Sequence, residues 1–106
     1  MADDINTITK LAKQYVDDVC ASMSVEKAVL FGSHIKGTAN ENSDIDICFF
    51  ITKFSKKNYL KIMLKLYEIR RPYKKIYFEP HLFSITDIDK NNMFINEILE
   101  TGTNLI

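Results

Sequence analysis

The strongest constraint on the fold is the segment DIDICFFI, residues 44–51, where two aspartates alternate with isoleucines in an otherwise apolar run. Successive side chains of a strand point to opposite faces of the sheet. The run is therefore predicted to be a strand with two unlike faces: Ile45, Ile47 and Phe49 on one, and Asp44, Asp46 and Cys48 on the other. A charge on a largely apolar strand is costly, so this pair of carboxylates needs a chemical explanation.

The segments around this strand predict an alternation of helices and strands. Apolar residues at spacings of three and four predict helices over 4–23 and from Ser55 to Pro72. Short apolar runs predict strands over 26–31 and 74–79, the second of which Pro80 ends or bends, with a further extended piece over 81–85. Ser84 or Thr86 is predicted to cap a last helix, which ends at Gly102.

The length of the chain, 106 residues, fits one domain with one hydrophobic core. Strands that alternate with helices predict the α/β class (α+β in some schemes), with a small mixed β-sheet flanked by helices. We therefore expect a single domain over residues 1–106.

The charges balance over the whole chain but not along it. Lys and Arg total 14, as do Asp and Glu, so the net charge is zero. Between Lys53 and Lys75, however, nine basic residues stand against Glu68 alone, which gives this segment +8 and the remainder −8. A solvated helix face is the simpler interpretation. A surface for phosphates or for an acidic partner is the alternative.

The cysteines and the N-terminus bear on the cellular compartment. Cys20 and Cys48 lie in apolar patterns without metal-ligand spacing, which predicts two reduced core thiols. No apolar stretch resembles a signal peptide or reaches the length of a membrane span. A cytoplasmic protein is expected.

A turn suited to phosphate follows the first strand. Gly32 comes directly after the apolar run, where the absence of a Cβ lets the backbone approach a ligand. Ser33 stands where a short helix could begin, and it would offer a hydroxyl and backbone N–H groups to a phosphate. Lys36 belongs to the same polar stretch, and a solvated lysine is its simpler interpretation.

The carboxylates favour a magnesium site. Asp44 and Asp46 are two residues apart on one strand, so they project from the same face about 7 Å apart. Two like charges repel unless a cation lies between them, and Mg²⁺ prefers carboxylates combined with substrate phosphates. A two-metal site needs a further carboxylate from a neighbouring strand. Glu79 is the preferred candidate, and Asp87 and Asp89 are weaker ones because they fall in a polar turn.

These residues match a known pattern. The stretch GSHIKGTANENSDIDI resembles the GS–x10–DxD motif of the nucleotidyltransferase superfamily that includes DNA polymerase beta. The short chain is similar to the minimal nucleotidyltransferases (MNT proteins) of prokaryotes, and FEPHLFS and INEILETGTNLI resemble their later parts. His34 and Lys36 stand where that family often carries arginine, and Glu79 stands where many members carry aspartate.

The resemblance implies a nucleotidyltransferase fold and a transferase activity. A nucleoside monophosphate, with AMP favoured, would pass from an NTP to a hydroxyl group. Gly32, Ser33 and Lys36 would bind the nucleotide. The metal-binding and catalytic residues would be Asp44, Asp46 and Glu79, which would hold a pair of Mg²⁺ ions.

The resemblance also suggests a partner, because MNT proteins are often encoded beside a HEPN-domain protein and act as its antitoxin. A catalytically inactive module that binds nucleotide or partner is the alternative function, and transfer to a small hydroxylated molecule is a third. Nucleic-acid binding is less favoured, and homo-oligomerisation stays open. The role of His81 is open between core packing and the site, whereas Cys48 is interpreted as a small buried apolar residue.

Overall fold

The computed structural model describes residues 5–31, 45–52, 54–74, 76–90 and 92–106. Within these ranges the helices are α1 (Ile5–Cys20), α2 (Lys56–Arg70), a 3-10 helix (Ile85–Lys90) and α3 (Met93–Thr101). The strands are β1 (Val25–Phe31), β2 (Ile45–Ile51), β3 (Phe78–Ser84) and the two-residue β4 (Thr103–Asn104). The first two predicted strands and the first two predicted helices are present, with ends displaced by a few residues.

The four strands form one mixed sheet in the order β3-β2-β1-β4. β1 pairs antiparallel with β2 and with β4, and β2 pairs parallel with β3. The strand that carries Asp46 therefore lies inside the sheet, between β1 and β3. A mixed sheet flanked by helices is the architecture that the sequence predicts.

The predicted faces of β2 are the observed ones. Ile45, Ile47 and Phe49 belong to a core cluster that the sheet forms with α1 and α2. Tyr15 of α1 joins this cluster, since its hydroxyl donates to the Leu66 carbonyl at 2.8 Å and its ring stacks on a phenylalanine of β3. The other face of the sheet carries a second, smaller cluster, which consists of Val29, Cys48, Phe50, Ile95 and Ile98.

The third strand differs from its prediction. A single strand, Phe78–Ser84, runs through Pro80 where the sequence suggested an end or a bend. Because β3 lies at the end of the described strand order and pairs with β2 on one side, the amide that a proline lacks can face away from the ladder. Glu79 is consequently the second residue of its strand and not the last.

The C-terminal region also differs. Ser84 ends β3 and Thr86 lies within the 3-10 helix, so neither caps the last α-helix. The N-cap of α3 is Asn92, whose side chain accepts from two backbone amides. Gly102 follows this helix as predicted, but its φ of −81° is not left-handed. This position needs glycine because the surrounding atoms leave no room for a side chain: a Cβ there would lie 2.6 Å from the Ile98 carbonyl oxygen. The predictions did not include β4.

The cysteines are free, but only one lies in the core. Cys48 is buried in the second cluster, and its burial raises the pKa of the thiol. Cys20 is exposed, which corrects the prediction of two core thiols. It is the last residue of α1, and the helix buries Val16 and Val19 instead. Within the described ranges, no helix is both long and apolar enough to cross a bilayer.

Candidate active site

The structure describes part of the predicted site. Asp46 and Glu79 lie on β2 and β3. The nucleotide-binding candidates Gly32, Ser33 and Lys36 and the first aspartate, Asp44, lie outside the described residues.

Asp46 and Glu79 are direct neighbours in the sheet. They are Cα partners in the parallel pairing of β2 with β3, and adjacent strands are about 4.8 Å apart. Asp46 alternates with Ile45 and Ile47, and Glu79 alternates with Phe78; these three apolar residues belong to the cluster under α1 and α2. Both carboxylates therefore project from the other face. The register makes Asp46 and Glu79 neighbours, and their role as ligands of one cation stays a prediction.

His81 contacts the aspartate. Its Nε2 lies 3.0 Å from Oδ1 of Asp46, and the two side chains are 34% and 28% exposed. The ring of Phe31, which precedes the predicted phosphate-binding turn, packs on the imidazole with centroids 5.3 Å apart. His81 is therefore beside the candidate site, a role that the sequence left open. The available signal was strand parity, because residues 79 and 81 share a face once they belong to one strand.

Tyr67 contacts the glutamate. Its hydroxyl donates to Oε1 of Glu79 at 2.9 Å, and this hydrogen bond together with partial burial raises the pKa of Tyr67. Because β3 ends the order of the described strands, none of them separates Glu79 from α2, which carries Tyr67. Arg70 of the same helix stacks on the Tyr67 ring and donates to the Phe78 carbonyl at 3.0 Å. The sequence analysis did not identify either residue.

An aromatic wall borders the site on the same side of the sheet. Phe31, which pairs with Asp46 across β1 and β2, makes an edge contact with Phe94 of α3. Phe94 in turn contacts Phe83 of β3. These rings place an apolar boundary beside a carboxylate, and an apolar boundary strengthens the electrostatic interactions of that carboxylate with a bound cation.

The two described carboxylates fit a magnesium ion. Each has one oxygen engaged, by His81 or by Tyr67, and within the described ranges the second oxygen has no hydrogen-bond partner. Hard carboxylate oxygens are the ligands that Mg²⁺ prefers. The described residues alone do not bring together three metal-ligating side chains, and the predicted ligand Asp44 lies outside them. Asp87 accepts a hydrogen bond from the Ser84 amide at 3.1 Å, in its own turn.

Comparison with solved structures supports the fold. A candidate nucleotidyltransferase of Sulfolobus solfataricus, known from its crystal structure, superposes with a TM-score of 0.62 at 24% sequence identity. The match covers 91% of this chain and 77% of that one, and it confirms the predicted nucleotidyltransferase fold. Comparison with curated protein sequences finds no match.

Comparison of the sequence with protein-family models identifies the family of the chain. The model described as "Polymerase beta, Nucleotidyltransferase" matches residues 6–106, which is nearly the whole chain. The match includes Asp46, Glu79 and His81 and also the segment that carries the GS–x10–DxD motif. The chain belongs to the polymerase beta-like nucleotidyltransferase family.

Proposed function

We propose that this protein catalyses the Mg²⁺-dependent transfer of a nucleoside monophosphate, AMP in the favoured case, from an NTP to a hydroxyl group on a partner. The observation that carries the proposal is the pairing of Asp46 with Glu79 on adjacent strands of this family's fold. Two carboxylates on one face are unfavourable together unless a cation binds between them.

Each predicted site residue has its own role in the proposed reaction. Gly32, Ser33 and Lys36 would bind the triphosphate, and Asp44, Asp46 and Glu79 would hold Mg²⁺. The metal, when bound, neutralises negative charge on the phosphates and orients them. The acceptor oxygen forms a bond to the α-phosphorus, the bond to the departing pyrophosphate breaks, and Glu79 positions the acceptor hydroxyl or takes its proton.

The contacts of the carboxylates give two neighbouring residues a supporting role. His81 and Tyr67 touch Asp46 and Glu79 and restrict the rotation of those side chains. Partners of metal ligands commonly orient them in this way. Both are positioning residues in the proposal.

The resemblance to minimal nucleotidyltransferases makes a HEPN-domain protein the favoured acceptor, with this chain as its antitoxin. The test is incubation of the protein with labelled ATP, Mg²⁺ and the product of the neighbouring gene. Label that enters the neighbour's product only when Mg²⁺ is present supports the proposal. A neighbour neutralised without incorporation of label would assign the chain to the alternative class of binding modules.

Nucleotide affinity should depend on the metal. The carboxylates repel a triphosphate until a cation lies between them, so we expect ATP to bind at least about tenfold more tightly with Mg²⁺ than with EDTA. Titration calorimetry under both conditions measures the difference. Equal affinities would show that the carboxylates do not face the phosphates.

Removal of the histidine should weaken the metal site without unfolding the protein. His81→Ala frees the Asp46 carboxylate to rotate, and loss of a ligand's partner typically lowers metal affinity or activity by about 10- to 100-fold. We expect the Mg²⁺ concentration for half-maximal transfer to rise in that range.

His81→Gln is the conservative comparison, because its amide N–H can replace the Nε2 donor. It should recover part of the lost metal affinity, whereas a purely structural role would change the denaturation midpoint and leave the Mg²⁺ dependence alone. Unaltered Mg²⁺ dependence in His81→Ala would remove this residue from the proposal.

A further inference from the structure

The outward side of α2 is apolar and basic at once. Six exposed residues line one side of the helix and are called here the outer face of α2: Lys57, Leu60, Lys61, Leu64, Lys65 and Glu68. Leu60 and Leu64 are 64% and 60% exposed on adjacent turns. Leu66, on the opposite side of the helix, is fully buried against α1 and the sheet. Single exposed apolar residues are ordinary, but two neighbouring leucines flanked by lysines form a surface patch.

The charge of this face restricts what can cover it. It carries Lys57, Lys61 and Lys65 against Glu68. It belongs to the segment 53–75, whose net charge is +8 against −8 for the rest of the chain. Two copies packed through this helix would bring like charges together, which costs free energy at an interface. A nucleic acid would neutralise the lysines but would leave Leu60 and Leu64 without an apolar partner and would meet Glu68. Exposed leucines flanked by lysines are complementary to an acidic protein segment that carries an apolar stripe.

The outer face of α2 continues to the candidate active site. Leu64 lines a shallow surface depression with Tyr67, Glu68 and Arg71. The hydroxyl of Tyr67 is bonded to Glu79, so the patch reaches the carboxylate proposed to position the acceptor hydroxyl. A protein bound along α2 would extend toward that carboxylate.

We infer that the outer face of α2 is the docking surface for the protein acceptor, and that it receives an acidic amphipathic helix whose leucine-type side chains pack on Leu60 and Leu64. This inference rests on the proposed function for the identity of the acceptor. The lysines pair with the acidic flanks and speed the encounter, while the leucines supply the desolvated centre of the interface.

A synthetic peptide tests the surface directly. The probe is a fluorescein-labelled 20-residue helix-forming peptide, with leucines at i, i+3, i+4 and i+7 and glutamates on both flanks. Its control has the same composition in shuffled order. Fluorescence anisotropy should show the patterned peptide binding at least about tenfold more tightly than the shuffled one, a difference of about 1.4 kcal/mol in binding free energy.

Two double variants separate the contributions of charge and apolar contact. Lys57→Glu with Lys61→Glu, and Leu60→Ser with Leu64→Ser, should each weaken the peptide at least about tenfold. The matched control is Lys10→Glu with Lys13→Glu, which makes the same charge change on exposed residues of α1 and should leave the affinity within about twofold. All these residues are exposed, so circular dichroism should show an unchanged fold.

Three results would overturn the inference. The first is equal peptide affinity in wild type and in the leucine variant. The second is tighter binding of a 20-nucleotide single strand than of the peptide, which would make the face a nucleic-acid surface. The third is a wild-type dimer in sedimentation that the leucine variant splits, which would make a second copy the occupant.

The docking surface and the proposed function fail separately. Every variant of α2 should retain Mg²⁺-dependent ATP binding, because none of the changed residues is in the site. Absence of ATP binding in all proteins, wild type included, would contradict the proposed function and leave the peptide result to decide the docking surface by itself.

Discussion

Asp46→Asn is expected to lower the rate of nucleotide transfer by at least about 10²- to 10³-fold while the fold persists. Asparagine keeps the size and shape of aspartate but removes a negative charge and a hard oxygen ligand. The charge that develops on the transferring phosphate then loses its counter-ion. Asp46 is about a quarter exposed and its core neighbours are untouched, so the denaturation midpoint should change little.

Single-turnover transfer of label from ATP measures this loss. Asp17→Asn is the matched control, since it makes the same change on an exposed residue of α1 and should leave the rate within about twofold. The variant should still bind its partner, because Asp46 is not on the outer face of α2. Full transfer activity in Asp46→Asn would exclude a metal-ligand role for this residue.

The part of the fold set by local periodicity was predictable. The alternation of Asp46 with Ile45 and Ile47 gave the correct faces of β2, because a strand has only two faces and one of them packs on α1 and α2. The helices followed from apolar spacing in the same way. Such patterns involve only residues that are close together in the sequence, so they can be recognised without the structure.

The failures depend on long-range neighbours. Pro80 looked like a strand end because its lack of an amide forbids a central position, and the sequence does not show that β3 ends the order of the described strands. Cys20 looked buried because it follows an apolar pattern, yet α1 ends there with its other side toward the sheet. For Pro80 the missing information was the position of its strand in the sheet. For Cys20 it was which side of the last turn of α1 faces the core.

The candidate site was likewise predictable only where it depends on local patterns. Glu79 was identified as a neighbour of Asp46 from strand parity and chemistry, and the register places them side by side. The contacts of His81 and Tyr67 join residues 35 and 12 positions apart. No local pattern marks such pairs, so the residues that hold the carboxylates emerge only from the assembled sheet.

Phe49→Ala is expected to have the largest effect on stability, a loss of about 3–5 kcal/mol in the free energy of unfolding. Phe49 is fully buried on β2, and its ring makes an edge contact with Tyr15 of α1, with centroids 5.7 Å apart. Truncation removes that contact and opens a cavity between the sheet and two helices. Small domains have about 5–15 kcal/mol in total, so much of the margin would disappear.

Urea denaturation measures the loss, with Phe94→Ala as the matched control. Phe94 is 48% exposed, so the same truncation there should cost less than about 1.5 kcal/mol. Phe49→Leu should recover part of the loss because it refills most of the cavity. Phe49 and Asp46 lie on opposite faces of β2, so the truncation should leave the site of the folded protein intact. Nucleotide binding should therefore fall only in proportion to the folded fraction. A cost for Phe49→Ala no larger than that of the control would contradict the assignment of this side chain to the core.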